Sequence, residues 1–206
     1  MHTRRWLRAT AAVAGTVALA GVATAAFAEE QHGDDQVDVT VEIAEIEEPG
    51  VLALSVAGTQ AALTENGSDA LVRQFTGTLP TVTVTDTRAP EDIPAGAGWY
   101  VLGIASDFTG TAGQPAIGAE HLGWTPRLID GGESGLVAEG DPVQTVLDDG
   151  PDAVGLVDAE LLALAADSGA VASEGSWTVT ADLALRTEAT VEPGAYASTL
   201  TLSLFE

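Results

Sequence analysis

Short runs in which apolar and polar residues alternate one for one, closed by glycine or proline, recur along this chain and limit what it can fold into. Val37, Val39, Val41 and Ile43 alternate with Asp38, Thr40 and Glu42, and Leu52, Leu54 and Val56 resume after Pro49-Gly50. Val82 and Val84 alternate with Thr81, Thr83 and Thr85. Trp177, Val179, Leu183 and Leu185 alternate with Thr178, Thr180, Asp182 and Arg186, and Tyr196, Leu200, Leu202 and Leu204 share one face of a last run. Successive side chains of a strand point to opposite faces, so each run reads as a strand with one side buried and one wet. Leu71 to Phe75 reads as a further strand. From Trp99 to Phe108 both faces are largely apolar, as in a central strand.

Pro90, Pro94-Ala95-Gly96, Gly131-Gly132, Gly150-Pro151 and Pro193-Gly194 punctuate these runs. Short strands between such turns predict an all-β chain, an antiparallel β-sandwich of Ig-like, Greek-key type. One stretch departs from the pattern. Asp158 to Ala166 has an N-cap candidate, strong helix formers and Gly169 beyond its end, and predicts one short helix crossing between the sheets. No repeat or composition break divides residues 37–206, which read as one domain.

The N-terminus is of another kind. Arg4, Arg5 and Arg8 precede an uncharged run from Ala9 to Ala28 that closes on Ala26-Phe27-Ala28, followed by Glu29-Glu30. A positive end, an apolar run and a small-x-small site are the marks of a cleaved signal peptide, here residues 1–28. The rival is an uncleaved membrane anchor, but a run of mostly Ala, Gly, Thr and Val holds a bilayer weakly. Thr3-Arg4-Arg5-Trp6-Leu7 is close to a twin-arginine signal, with Arg8 where that pattern wants an apolar residue, so the route (Sec or Tat) stays open. Residues 29–36 read as an acidic leader.

Beyond residue 28, four arginines (Arg73, Arg88, Arg127 and Arg186) stand against 31 acids, a net charge of −27, with no lysine. Nucleic acid is excluded as a partner, because phosphate binding needs clustered cations. Anionic lipid is disfavoured on the same ground, and no stable membrane span is expected after cleavage. Such a surface suits divalent cations or high salt, or is simply the mark of an acidic secretome. No cysteine is present, so the core must hold the fold without disulfides.

Signals for catalysis are sparse. There is no Gly-x-Ser-x-Gly, His-Glu-x-x-His or phosphate loop. His32 lies in the acidic leader. His121 follows Glu120 and has no spaced partner to complete a ligand set. Paired carboxylates of a glycosidase are not marked by any spacing. Asp148, Asp149 and Asp152 form the best oxygen-ligand cluster for Ca²⁺, although a solvated turn explains them as well; no other cofactor is expected. Asn66-Gly67-Ser68 matches a glycosylation sequon but reads as a hairpin turn. Of three tryptophans beyond the signal, Trp99 and Trp177 alternate on strands and read as core, while Trp124, between Gly123 and Thr125-Pro126, reads as an exposed loop ring.

Gly98-Trp99-Tyr100-Val101 with Ser106-Asp107-Phe108, and the terminal segment Tyr196 to Leu204, resemble the two motifs of the WxL domain. Gly175-Ser176-Trp177-Thr178-Val179-Thr180 and Pro193-Gly194-Ala195-Tyr196 resemble its pre-terminal strand and turn as found in high-GC Gram-positive bacteria. Val101 stands for the family Leu, and Leu202 for the second-motif Trp. The resemblance spans most of residues 37–206. It implies a secreted, non-enzymatic β domain on the cell surface that attaches non-covalently to peptidoglycan, often beside other surface proteins. Trp124, Trp99 and Tyr196 are then the candidate binding residues. With no sorting tail after Phe205-Glu206, retention at the wall is expected to come from the folded domain. Two other readings compete: a structural or adhesive subunit that binds other surface proteins, and a secreted carbohydrate-active enzyme.

The signal reading has a direct check. The exported protein is expected to begin at Glu29, as read by intact mass, and a membrane-bound species retaining residues 1–28 would overturn it.

Overall fold

The computed structural model describes residues 40–42, 50–151 and 153–206. Among these residues there are twelve strands, several of them on the alternating runs. In chain order they are β1 (Leu52–Val56), β2 (Thr64–Glu65), β3 (Val72–Thr78), β4 (Val82–Asp86), β5 (Trp99–Ala105), β6 (Thr109–Gly110), β7 (Leu122–Asp130), β8 (Val137–Glu139), β9 (Glu160–Ala165), β10 (Ser176–Glu188), β11 (Tyr196–Ala197) and β12 (Leu200–Phe205). All pair antiparallel, in a six-stranded sheet, a four-stranded sheet and the short β6–β11 ladder. The architecture is all-β and sandwich-like.

The six-stranded sheet is organised on β10. On one flank β10 meets β3 and β4, and on the other β7. Asp182 pairs with Thr78 and Val179 with Val82, so β3 and β4 form one extended run along the same partner. Three residues, Leu79 to Thr81, stand opposite two, Thr180 and Ala181, which makes a bulge. Pro80 sits inside it, where a residue without an N–H costs the ladder least. The bulge is pinned by Leu79 N–H donating to Ala181 O (2.9 Å) and Thr180 Oγ1 donating to Leu79 O (2.6 Å). Outside this run lie β1, paired to β4, and β2, paired to β3.

The four-stranded sheet runs β12-β5-β9-β8. Trp99, Val101, Gly103 and Ala105 of β5 face inward, as do Val137 of β8 and Ala163 and Ala165 of β9. They pack into one core with Val82 and Val84 of β4, Leu122 and Trp124 of β7, and Trp177, Val179 and Leu183 of β10. The Trp99 and Trp177 rings lie 5.3 Å apart at 39°. Gly103 is needed for a close approach: a Cβ there would come within 2.5 Å of the Trp124 ring.

The expected helix at Asp158–Ala166 is instead β9. Its Ala and Leu are strong helix formers, but propensity is worth only tenths of a kcal/mol per residue, and β5 and β8 pair the segment on both sides with Leu162, Ala163 and Ala165 buried. Tertiary pairing therefore overrides local propensity. The short helix, α1 (Ser168–Val171), follows it, with Asp167 as N-cap accepting from Ala170 N–H at 3.0 Å. Of the expected strand Val37–Ile43, residues 40–42 lie in no strand and Val41 is 80% exposed; the others lie outside the described residues. Ile46–Glu206 forms one compact unit.

An ion-paired cluster ties the two sheets at one end. Asp86, the last residue of β4, is fully buried and takes a two-point grip from Arg88, Nε to Oδ1 at 2.9 Å and an Nη2 to Oδ2 at 2.7 Å. The same guanidinium holds Glu206, beyond β12, at 2.7 Å. Arg88 keeps the Asp86 carboxyl below the usual carboxylate range, and both acids raise the arginine in turn. A carboxyl depressed in the folded state adds stability above its unfolded pKa and loses it as pH falls. Arg88→Met leaves Asp86 buried without its partner and is expected to cost about 3–5 kcal/mol at neutral pH. The difference from wild type in urea unfolding should shrink as pH falls, first as the unpaired, desolvated Asp86 of the variant takes up a proton and last as the wild-type carboxyl, held low by Arg88, does so too. A difference that is constant down to pH 2 would remove Asp86 from the account.

Candidate functional site

The three tryptophans among the described residues are all enclosed. Trp124 is 1% exposed and stands on β7, not on a loop. The Gly and Pro around it have structural roles. Trp124 exchanges both backbone hydrogen bonds with Val143 at 2.9 Å, and a Cβ on Gly123 would meet the Val143 carbonyl. Pro126 opposite Ala181 is accommodated in the same strand. Trp99, also 1% exposed, is equally out of reach of a surface ligand, so neither ring can stack on a glycan in this fold. Trp177 Nε1–H donates to Glu174 at 2.8 Å, whereas the indole N–H groups of Trp99 and Trp124 are buried with no partner among the described residues.

The aspartate cluster is likewise used internally. Asp148 Oδ2 accepts from Thr145 N–H (2.9 Å) and Thr145 Oγ1–H (2.8 Å), and Oδ1 is taken by the Arg186 guanidinium. Its oxygens close a turn and neutralise an arginine, which leaves little for an ion. Asp149 is exposed in the same turn, and Asp152 lies outside the described residues. Among the described residues no three His, Asp or Glu side chains are grouped to hold a metal. Asn66-Gly67-Ser68 forms the β2–β3 turn, with Gly67 at φ +84° and Ser68 Oγ donating to Glu65 at 2.8 Å.

Tyr196 is the member of the candidate set that reaches a surface. It lines a groove of about 430 Å³ between the segment from Pro115 to His121 and the end of β10 with the turn that follows it. Tyr196 Oη donates to Glu192 O at 2.7 Å, which fixes the ring against that turn. His121, in a 3-10 turn before β7, enters from the other wall. Its Nδ1 lies 2.7 Å from the Arg186 carbonyl oxygen. A carbonyl can only accept, so Nδ1 carries the proton and Nε2 is left for other partners. Glu120, Glu188 and Glu192 bring three carboxylates to the lining, Thr187 and Thr190 bring hydroxyls, and no lysine or arginine lines it.

The groove is acidic because the arginines are engaged elsewhere. Arg186, whose backbone holds His121, turns its guanidinium to Asp148; Arg73 pairs with Glu65 at 2.8 Å, Arg88 with Asp86 and Glu206, and Arg127 with Asp182 at 3.9 Å. Such a groove attracts amines and offers hydrogen-bond acceptors and one aromatic face. Glu188, Thr190 and Glu192 were hidden in sequence, since a Glu-rich turn resembles any solvated loop. The available signal was their position between a long strand and Pro193-Gly194.

Comparison with protein-family models, with curated proteins and with solved structures finds no match for this chain.

Burial of Trp124 changes what its removal should do. Trp124→Ala is expected to cost about 3–5 kcal/mol in urea unfolding, as Trp99→Ala does, because each leaves a cavity between the sheets. A loss under about 0.5 kcal/mol would return Trp124 to the surface.

Proposed function

We propose that this chain is an exported, non-enzymatic module that holds non-covalently to peptidoglycan at the cell surface of a Gram-positive bacterium. The acidic groove carries the reading. Peptidoglycan presents amine-bearing stem peptides beside its sugars, and a groove with Glu120, Glu188 and Glu192, no lining cation and the Tyr196 ring suits that combination of charge and apolar surface. The export signal and the likeness to the WxL motifs at Trp99-Tyr100-Val101 and Tyr196 to Leu204 support the same assignment. Binding by carboxylates and one ring is weak per site, which suits a polymer that offers its repeat many times over.

Co-sedimentation with purified sacculi tests it. The protein is expected to pellet with the wall without releasing soluble wall fragments. Glu188→Gln with Glu192→Gln should weaken retention by on the order of threefold to tenfold, as two exposed charge contacts would. Tyr196→Ala should weaken it further. Protein that stays in the supernatant at every salt concentration would dismiss the wall reading, and release of wall fragments would make the chain an enzyme.

A further inference from the structure

The outward face of the four-stranded sheet is unlike the rest of this acidic molecule. Register places Phe205 of β12 beside Tyr100 of β5, and Tyr100 beside Leu164 of β9. The two rings stack at 5.3 Å and 17°, yet Tyr100 remains 39% exposed and Phe205 44%. Leu102 and Ile104 continue the face along β5, with Leu161 beside Leu102 and Ile104 also 39% exposed. Ser203 and Thr201 add hydroxyls next to them. None of these positions carries a carboxylate, lysine, arginine or histidine, in a chain with 31 acids.

Size and charge decide what can cover this face. Four strands about 4.8 Å apart, over five residues rising about 3.4 Å each, give a footprint of about 300 Å². Uncharged patches of that size are often functional, but a stable protein interface needs about 800 Å² per partner. A second copy would also bring its own net charge of −27 close to the first, from four arginines and 31 acids beyond residue 28. A cationic polymer would be drawn to the carboxylates elsewhere instead. What remains is a narrow, neutral, flat ligand. We propose that this face is a stacking surface for a neutral β-linked glycan chain. The C–H faces of its sugars lie on Tyr100 and Phe205, and its hydroxyls meet Ser203, Thr201 and the Tyr100 phenol. The wall reading supplies the polymer class, the glycan strand of N-acetylated amino sugars, but the surface is separate from the acidic groove.

Titration calorimetry with the neutral N-acetylglucosamine hexamer, on the full protein, tests the face directly. Binding is expected in the millimolar range or tighter. Tyr100→Ala and Phe205→Ala should each weaken it tenfold or more in a protein that still unfolds cooperatively, Phe205→Trp should retain it, and Glu91→Gln, at an exposed site away from both surfaces, should leave it unaltered. No binding by wild type, or binding only of the deacetylated, cationic hexamer, would overturn the proposal. So would a dimer in ultracentrifugation that Phe205→Ala dissolves, which would give the face to a second copy. Hexamer binding lost in Phe205→Ala, from a protein that never pellets with sacculi, would uphold the face and reject the wall reading. Pelleting that depends on Glu188 and Glu192, with no hexamer binding, would do the reverse.

Discussion

Three indoles between two sheets set the spacing on which everything else in this molecule rests. Trp99 from β5 meets Trp177 from β10, and Trp124 from β7 reaches across to Gly103 of β5. In a domain without cysteine, that layer does the joining that disulfides do in many exported folds. It also explains why the inward face of β5 falls from Trp99 and Val101 to Gly103 and Ala105. A side chain at Gly103 would push the sheets apart where Trp124 holds them together.

Electrostatics works against the fold almost everywhere, and the four arginines among the described residues are placed where they relieve it. Arg88 secures the buried Asp86 and draws in Glu206, Arg186 secures Asp148, and Arg73 holds Glu65 with two hydrogen bonds while its guanidinium lies 5.1 Å from the Phe75 ring. The cost is a surface of uncompensated carboxylates, screened only over a Debye length of about 10 Å at 0.1 M salt. Two places break that uniformity. One is the groove at Tyr196, where carboxylates converge around an aromatic ring. The other is the outward face at Tyr100 and Phe205, where charge is lacking altogether.

The sheet strands with one buried face were legible from alternation alone, as β1, β4, β10 and β12 show, because burial on one side writes itself into every second residue. β9 was not, since a strand paired on both sides and rich in Ala and Leu has lost the alternation that separates it from a helix. β7 was hidden by Gly123 and Pro126, which serve close approach and strand-edge geometry but read locally as a loop. Among site residues, Tyr196 was reached through a motif resemblance; the same resemblance offered Trp99 to a ligand although its alternation already marked it as core, and Trp124, read as a loop ring, is buried as well. Glu120, Glu188 and Glu192 come together only through the turn after β10, a juxtaposition of residues nearly seventy positions apart that no local pattern encodes.

The pairing of both β3 and β4 with β10 has a consequence for the order in which the chain takes shape. Residues 72–86 find their partner only at 176–188, and β5 finds β12 only at 200–205. Neither sheet can close on the ribosome before β10 and β12 have been made. Closure over such distances is slow, on the order of milliseconds to seconds. A topology of this kind leaves both sheets open until β10 and β12 arrive, with the local pairings of residues 52–86 able to form earlier.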